Sequence, residues 1–161
     1  MKEKGLVSNY TVKQFKLHKP TYNNDLIKNE LNRNFKQKER MNVIVSDLTY
    51  VNVNGKWNYI CTIIDLYNRE IVGYAASKNK DAKLVKKAIN SINYDLSKII
   101  LFHADRGNEF KNQMIDDVLE TFDIRRSLIA KGCPYDNAVA EATYKIFKTE
   151  FAFNRRFKNF E

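Results

Sequence analysis

The dipeptide Asn54-Gly55 limits the fold more than any other feature of this chain, because it separates two β-forming runs, Val43 to Val51 and Trp57 to Asp65. Asn-Gly accepts the left-handed backbone of a two-residue hairpin turn, so the flanking runs are expected to pair antiparallel. Asp65 to Arg69 read as a second turn and Ile71 to Ala76 as a third strand. The period then changes. Leu84, Val85, Ala88, Ile89 and Ile92 follow helical spacing behind Asp81, a good N-cap, which predicts a helix over residues 81–93. Ile99 to Phe102 read as a short buried strand, Met114, Ile115, Val118 and Leu119 place a helix over 111–121, and Ile124 to Leu128 form a fifth strand. After Gly132 and Pro134, Asp136 or Asn137 is placed to cap a last helix that extends to about residue 152. Three antiparallel strands followed by alternating helices and strands define an α/β chain with a five-stranded mixed sheet flanked by helices.

The first 40 residues differ from this pattern. They are polar and rich in Lys and Asn, with weak periodicity in Leu26, Ile27, Leu31 and Phe35, and read as a basic tether with a short helix. Residues 41–161 form the expected core. A chain of 161 residues with 43% hydrophobic and 12% aromatic content supports one packed domain. No apolar run reaches the roughly 20 residues of a membrane span. The start carries no apolar stretch of the secretory kind, so a cytoplasmic protein without membrane contact is expected. Cys61 and Cys133 have no Cys or His at ligand spacing, which excludes a zinc cluster or a disulfide framework; Cys61 reads as a small core residue.

Net charge is +9, and it is unevenly spread. Residues 1–40 hold 10 basic and 4 acidic side chains, 41–124 hold 10 and 11, and 125–161 hold 8 and 4. Basic flanks around a more acidic centre fit a polyanionic partner combined with local cation capture.

Three acids stand out in that centre. Asp47 lies mid-strand in Val43-Ile44-Val45-Ser46-Asp47-Leu48-Thr49-Tyr50, where an ionised carboxylate is costly without a cation or several donors. Asp105 follows the apolar strand in His103-Ala104-Asp105-Arg106-Gly107-Asn108-Glu109-Phe110, at the strand end where α/β sheets place ligand sites. Glu141 lies near the start of the last helix, separated from Asp105 by 35 residues. Each alone has an ordinary reading as an exposed strand position, a turn residue or a solvated helical acid. Together they offer the oxygen ligands that hard divalent cations require.

These acids sit among longer matching strings: Ser46-Asp47-Leu48-Thr49-Tyr50, Gly55-Lys56-Trp57-Asn58-Tyr59, Ile64-Asp65-Leu66-Tyr67-Asn68-Arg69-Glu70-Ile71-Val72-Gly73, and Asp136-Asn137-Ala138 ahead of Glu141. In order and spacing the chain resembles the catalytic core of DDE-type bacterial insertion-sequence transposases, whose fold is similar to retroviral integrase and ribonuclease H. The resemblance implies a ribonuclease H-like fold and a metal-dependent polynucleotidyl transferase. Asp47 would bridge two Mg2+ ions, with Mn2+ able to substitute, and Asp105 and Glu141 would complete their coordination. The implied reaction is DNA strand cleavage followed by strand transfer. The implied partners are transposon-end and target DNA, a further copy or a full-length transposase, and a separate end-recognition subunit.

Lys145 and Lys148 follow Glu141 at i+4 and i+7, on its helix face, where they can approach phosphates or simply pair with the acid. Similar transposases carry a basic residue at the Lys148 offset. Arg106 is read as a DNA contact or a partner of Glu109, and Lys131 as a phosphate contact or a solvated loop residue. Trp57, Tyr59 and Tyr74 are read as core or hairpin packing, the aromatic tail from Phe151 to Phe157 as packing on the core or a nucleic-acid contact, and His103 as structural. Ile44 stands where similar transposases often have tryptophan. The chain stops 20 residues after Glu141, so it is read as a truncated core. Two other functions fit the same residues: a ribonuclease H-like nuclease without strand transfer, and a noncatalytic DNA-binding or assembly remnant.

Overall fold

The structure is a computed structural model that describes residues 26–153 and 155–159. Strands β1 (Val43–Val53) and β2 (Lys56–Asp65) meet at Asn54 and Gly55, both with positive φ, and the Asn52 side chain accepts the Gly55 N–H at 2.9 Å. β3 (Ile71–Ser77) pairs antiparallel with β2, completing the meander. Helix α1 (Ala82–Asn90) is capped by Asp81, whose carboxylate accepts the Leu84 N–H at 3.0 Å. It carries the chain across to β4 (Leu101–Ala104), which runs parallel to β1. Helix α2 (Gln113–Thr121) then leads to β5 (Arg125–Leu128), parallel to β4. The sheet order is β3-β2-β1-β4-β5, the mixed five-stranded arrangement expected. Helix α3 (Ala138–Ile146) follows a 3₁₀ turn, Pro134–Asn137, and continues as π-helix over Phe147–Ala152.

Alternation along each strand divides the interior in two. Ile44, Cys61, Ile63, Phe102 and Ala104 face α1 and α2, where Leu84, Val85, Ala88, Ile115 and Leu119 complete the larger core. Val43, Val45, Ile64, Leu66 and Leu101 point the other way and pack with Leu31 and with Ala140 of α3.

Several expectations need correction. The fourth strand begins at Leu101 instead of Ile99, because its ladder starts only where β1 offers Val43 as a partner. Neither Asp136 nor Asn137 caps α3 through its side chain. No helix forms among residues 26–40: Asn32 and Arg33 have positive φ, Leu26 is exposed, and Leu31 alone is buried. The described part of the expected tether packs on the core, where the Glu30 and Leu31 N–H groups donate to the Ser127 hydroxyl. Residues 1–25 lie outside the described region. Of the three residues read as core or hairpin packing, Trp57 packs across the hairpin on Tyr50 and Tyr59 packs against the larger core, whereas Tyr74 is exposed. Among the described residues no helix is long and apolar enough to cross a membrane.

Candidate active site

Asp47 and Asp105 are brought together by strand register. The parallel β1–β4 ladder pairs Val45 with His103, and continuing the same offset by two residues aligns Asp47 with Asp105. Both carboxylates therefore emerge on the same face, where β4 ends and its chain turns away. Asp47 is pushed up to about 7, chiefly by burial and further by the Asp105 and Glu141 carboxylates; the Leu48 N–H, 2.7 Å away, and Lys80 oppose the rise. Asp105 is also raised, by burial and by Glu109, while accepting the Gly107 N–H at 2.8 Å. A desolvated acid beside two others is electrostatically unsatisfied, which is the condition a cation relieves.

Glu141 reaches this face through α3, and Tyr144 fixes that helix. Its hydroxyl donates to the Asp47 carbonyl and accepts from the Thr62 hydroxyl at 2.8 Å and the Thr62 N–H at 3.2 Å. Burial pushes the phenol upward, so it remains a proton donor. Glu141 lies three residues earlier on the same helical face, exposed to solvent, and its charge adds to the rise at Asp47. The donors are all carboxylate oxygens, the chemistry that fits a hard divalent cation. Among the described residues, no group of three His, Cys, Asp or Glu side chains stands arranged to enclose one.

Two further clusters hold the site in place. Glu109 is buried, and Lys80, from the turn before α1, lies 3.0 Å from its carboxylate. The Lys80 ammonium is held above its ordinary value by Glu109 first, then by Asp105 and Asp47, so it partly balances the acids. A Cβ at Gly107 would collide with the Glu109 carboxylate, so a larger residue there would have to displace that side chain. Behind β4, His103 Nε2 lies 3.0 Å from the Asp136 carbonyl, which can only accept, so this nitrogen carries the proton. Nδ1 must then accept from the Ser127 hydroxyl at 2.8 Å, and burial lowers the ring's affinity for a second proton. The Asp136 carboxylate accepts from Arg33 at 2.7 Å, Asn29 at 2.7 Å and the Ala130 N–H at 3.1 Å. This network ties the segment before β1 to the turn that launches α3.

Residues 37–134 match the integrase core domain family, more than half of the chain. The chain belongs to that family. It is 29% identical over 113 residues to the transposase InsF for insertion sequence IS3A of Escherichia coli (strain K12), covering 69% of this chain and 39% of InsF. It is also 29% identical over 133 residues to the putative transposase InsK for insertion sequence element IS150 of the same organism, covering 81% of this chain and 47% of InsK. The chain thus spans less than half the length of these relatives. Among solved structures, the HTLV-2 integrase catalytic core domain in complex with magnesium (dimeric form) matches with TM-score 0.56 and 14% identity, over 68% of this chain and 69% of that one. That likeness shows the fold, which is ribonuclease H-like.

The integrase-type core places the expected basic residues in different settings. Lys145 is exposed on α3, and Lys131 is exposed on the loop before it. Lys148 lies past the switch to π winding, which alters the angular step per residue, and its ammonium sits 4.4 Å above the Tyr50 ring. Arg106 does not pair with Glu109. It donates to the Ile129 carbonyl at 2.8 Å and the Ile27 carbonyl at 2.7 Å, holding two backbone segments beside Asp105. Tyr144, Lys80, Glu109 and Ser127 were not singled out as site residues from sequence. Only Tyr144 carried a local signal, its i+3 spacing from Glu141.

Proposed function

We propose that this chain is the catalytic core of a DNA transposase, in which Asp47, Asp105 and Glu141 hold two Mg2+ ions, with Mn2+ able to substitute. The observation that carries this reading is Asp47, a largely buried acid raised to about 7 by burial and, to a lesser degree, by the Asp105 and Glu141 charges, within a family that includes strand-transferring enzymes. Bound there, the cations would lower the pKa of an attacking water or 3′-hydroxyl and neutralise charge on the leaving oxygen. Asp47 supplies the central carboxylate, and its burial keeps competing water away. Glu141 turns inward from its exposed position to complete the set. Tyr144 keeps α3 against β1 while it does so. Lys131, Lys145 and Lys148 contact phosphates along the duplex, and Arg106 holds the loop that presents Asp105. The partners are transposon-end and target DNA, further copies of the chain or a full-length transposase, and a separate end-recognition subunit, all in the cytoplasm.

The test is cleavage and joining of labelled DNA carrying candidate element ends, with and without Mg2+ or Mn2+, by the chain and by Glu141→Gln. Metal-dependent nicked and joined products that vanish in the variant are expected. Nicks without joining would indicate a nuclease. A folded, DNA-binding chain that makes no product under any metal would refute the catalytic reading.

A further inference from the structure

Resting on the transposase reading, we propose that Tyr50, Trp57, Lys148 and Arg155 form a stacking platform for unpaired bases of the DNA strand that leads away from the acids. Tyr50 and Trp57 face each other across the β1–β2 hairpin, edge to face at 5.1 Å, yet 52% and 57% of their surfaces remain exposed. Aromatic rings this open are not explained by hairpin packing alone. Lys148 lies over Tyr50, and the Arg155 guanidinium lies 4.2 Å from the Phe151 ring, so cations border the aromatic surface. Phe153, 76% exposed, lines the same groove, and no carboxylate does so among the described residues. A neighbouring groove adds Arg156 and Lys158, again without an acid.

Aromatic faces interleaved with cations suit a single strand, because a duplex hides its base faces in the stack. Position supports the same occupant. Tyr50 follows Asp47 by three residues on one strand, about 10 Å at about 3.3 Å per residue. That is about three stacked base steps at about 3.4 Å each. The β1–β4 ladder ends at Val45, so β4 does not cover the β1 edge beside Asp47, and the C-terminal segment bridges β1 only further along, at Val53 and Phe157. By alternation Tyr50 points to the opposite sheet face from Asp47, and Lys148, from the helical segment that continues α3, lies over its ring. A strand whose phosphate sits at the acids can pass the edge and lay its unpaired nucleotides on Trp57 and Tyr50.

Trp57 is the chain's single tryptophan, so its emission reports this surface directly. The full chain, kept uncut in EDTA, is titrated with a duplex bearing a three-nucleotide overhang, the same duplex with blunt ends, and heparin. Several-fold stronger quenching by the overhang duplex is expected. With labelled DNA anisotropy as readout, Trp57→Leu is expected to raise Kd for the overhang duplex several-fold and for the blunt duplex less than twofold, while Trp57→Phe retains most of the preference. Equal quenching by heparin, or tight overhang binding with unchanged emission, would overturn the platform. So would an emission shift on raising protein concentration alone, which marks a contact between copies. Glu141→Gln separates the two proposals: quenching should persist in that variant, and cleavage by it would count against the metal-ligand assignment only.

Discussion

The two faces of the sheet are built by different physics. The face under α1 and α2 is an apolar cluster, from Ile44 and Phe102 on the strands to Val85 and Ile115 on the helices, and it needs only burial to cohere. The face under α3 has fewer buried apolar side chains and is tied together by Tyr144 on Thr62 and Asp47, by His103 with Ser127, and by Asp136 with Arg33 and Asn29. The acids emerge on this second face. Apolar packing is tolerant of chemistry but cannot fix a carboxylate's direction, whereas hydrogen bonds set direction at the risk of leaving a buried group unpaired.

Phe102→Ala should produce the largest stability change, about 3–5 kcal/mol by denaturant titration, because it empties a fully buried site on the apolar face. Metal-dependent cleavage per folded molecule should change far less. A larger catalytic loss than stability loss would break the division between the faces.

Asp47 gives a pH test of the second face. Its folded value is raised above the unfolded value of about 4, so the folded state binds the extra proton and stability falls as pH rises from about 4 to 7. His103 acts oppositely in part of this window: burial lowers its folded value, so its contribution is present above about 6.5 and is lost as pH falls. Subtracting Asp47→Asn from the parent isolates the acid. The variant should gain on the parent as pH approaches 7, by on the order of a few kcal/mol in the absence of metal, and Mg2+ should shrink the difference. A pH-independent difference would show that Asp47 is not desolvated.

Ser127→Ala should cost about 1–3 kcal/mol, because it strips partners from buried His103 Nδ1 and from the Glu30 and Leu31 N–H groups. Tyr144→Phe should cost about 1 kcal/mol while keeping its ring in place. Its cleavage rate should fall on the order of tenfold or more, since small displacements of reacting groups are expensive. If Tyr144→Phe leaves cleavage intact, α3 is positioned by packing and the contrast between the faces weakens.

The apolar face was the more legible in sequence, for a physical reason. Leu84, Val85, Ala88 and Ile89 announce a helix because burial follows the 3.6-residue period, and the hairpin follows from Asn54-Gly55 because few residues accept its backbone. The three acids were legible as candidates through their local strings and spacing. Other features depended on distant partners. Asp136, read as a helix cap, binds Arg33 and Asn29, more than 100 residues earlier in the chain. Leu26 and Phe35, read with Leu31 as a helical stripe, do not share one, since positive φ at Asn32 and Arg33 breaks the helix. Trp57 carried the same apolar weight as a core residue but stands at an exposed hairpin position.

By itself the sequence determined the order of strands and helices, because local backbone preference and hydrophobic period act within a few residues. Only the tertiary structure decided that Asp47 and Asp105 align across the β1–β4 register and that Tyr144 brings Glu141's helix to them. Those relations join residues from separate elements, and hydrogen bonds over such separations exist only once the sheet has formed.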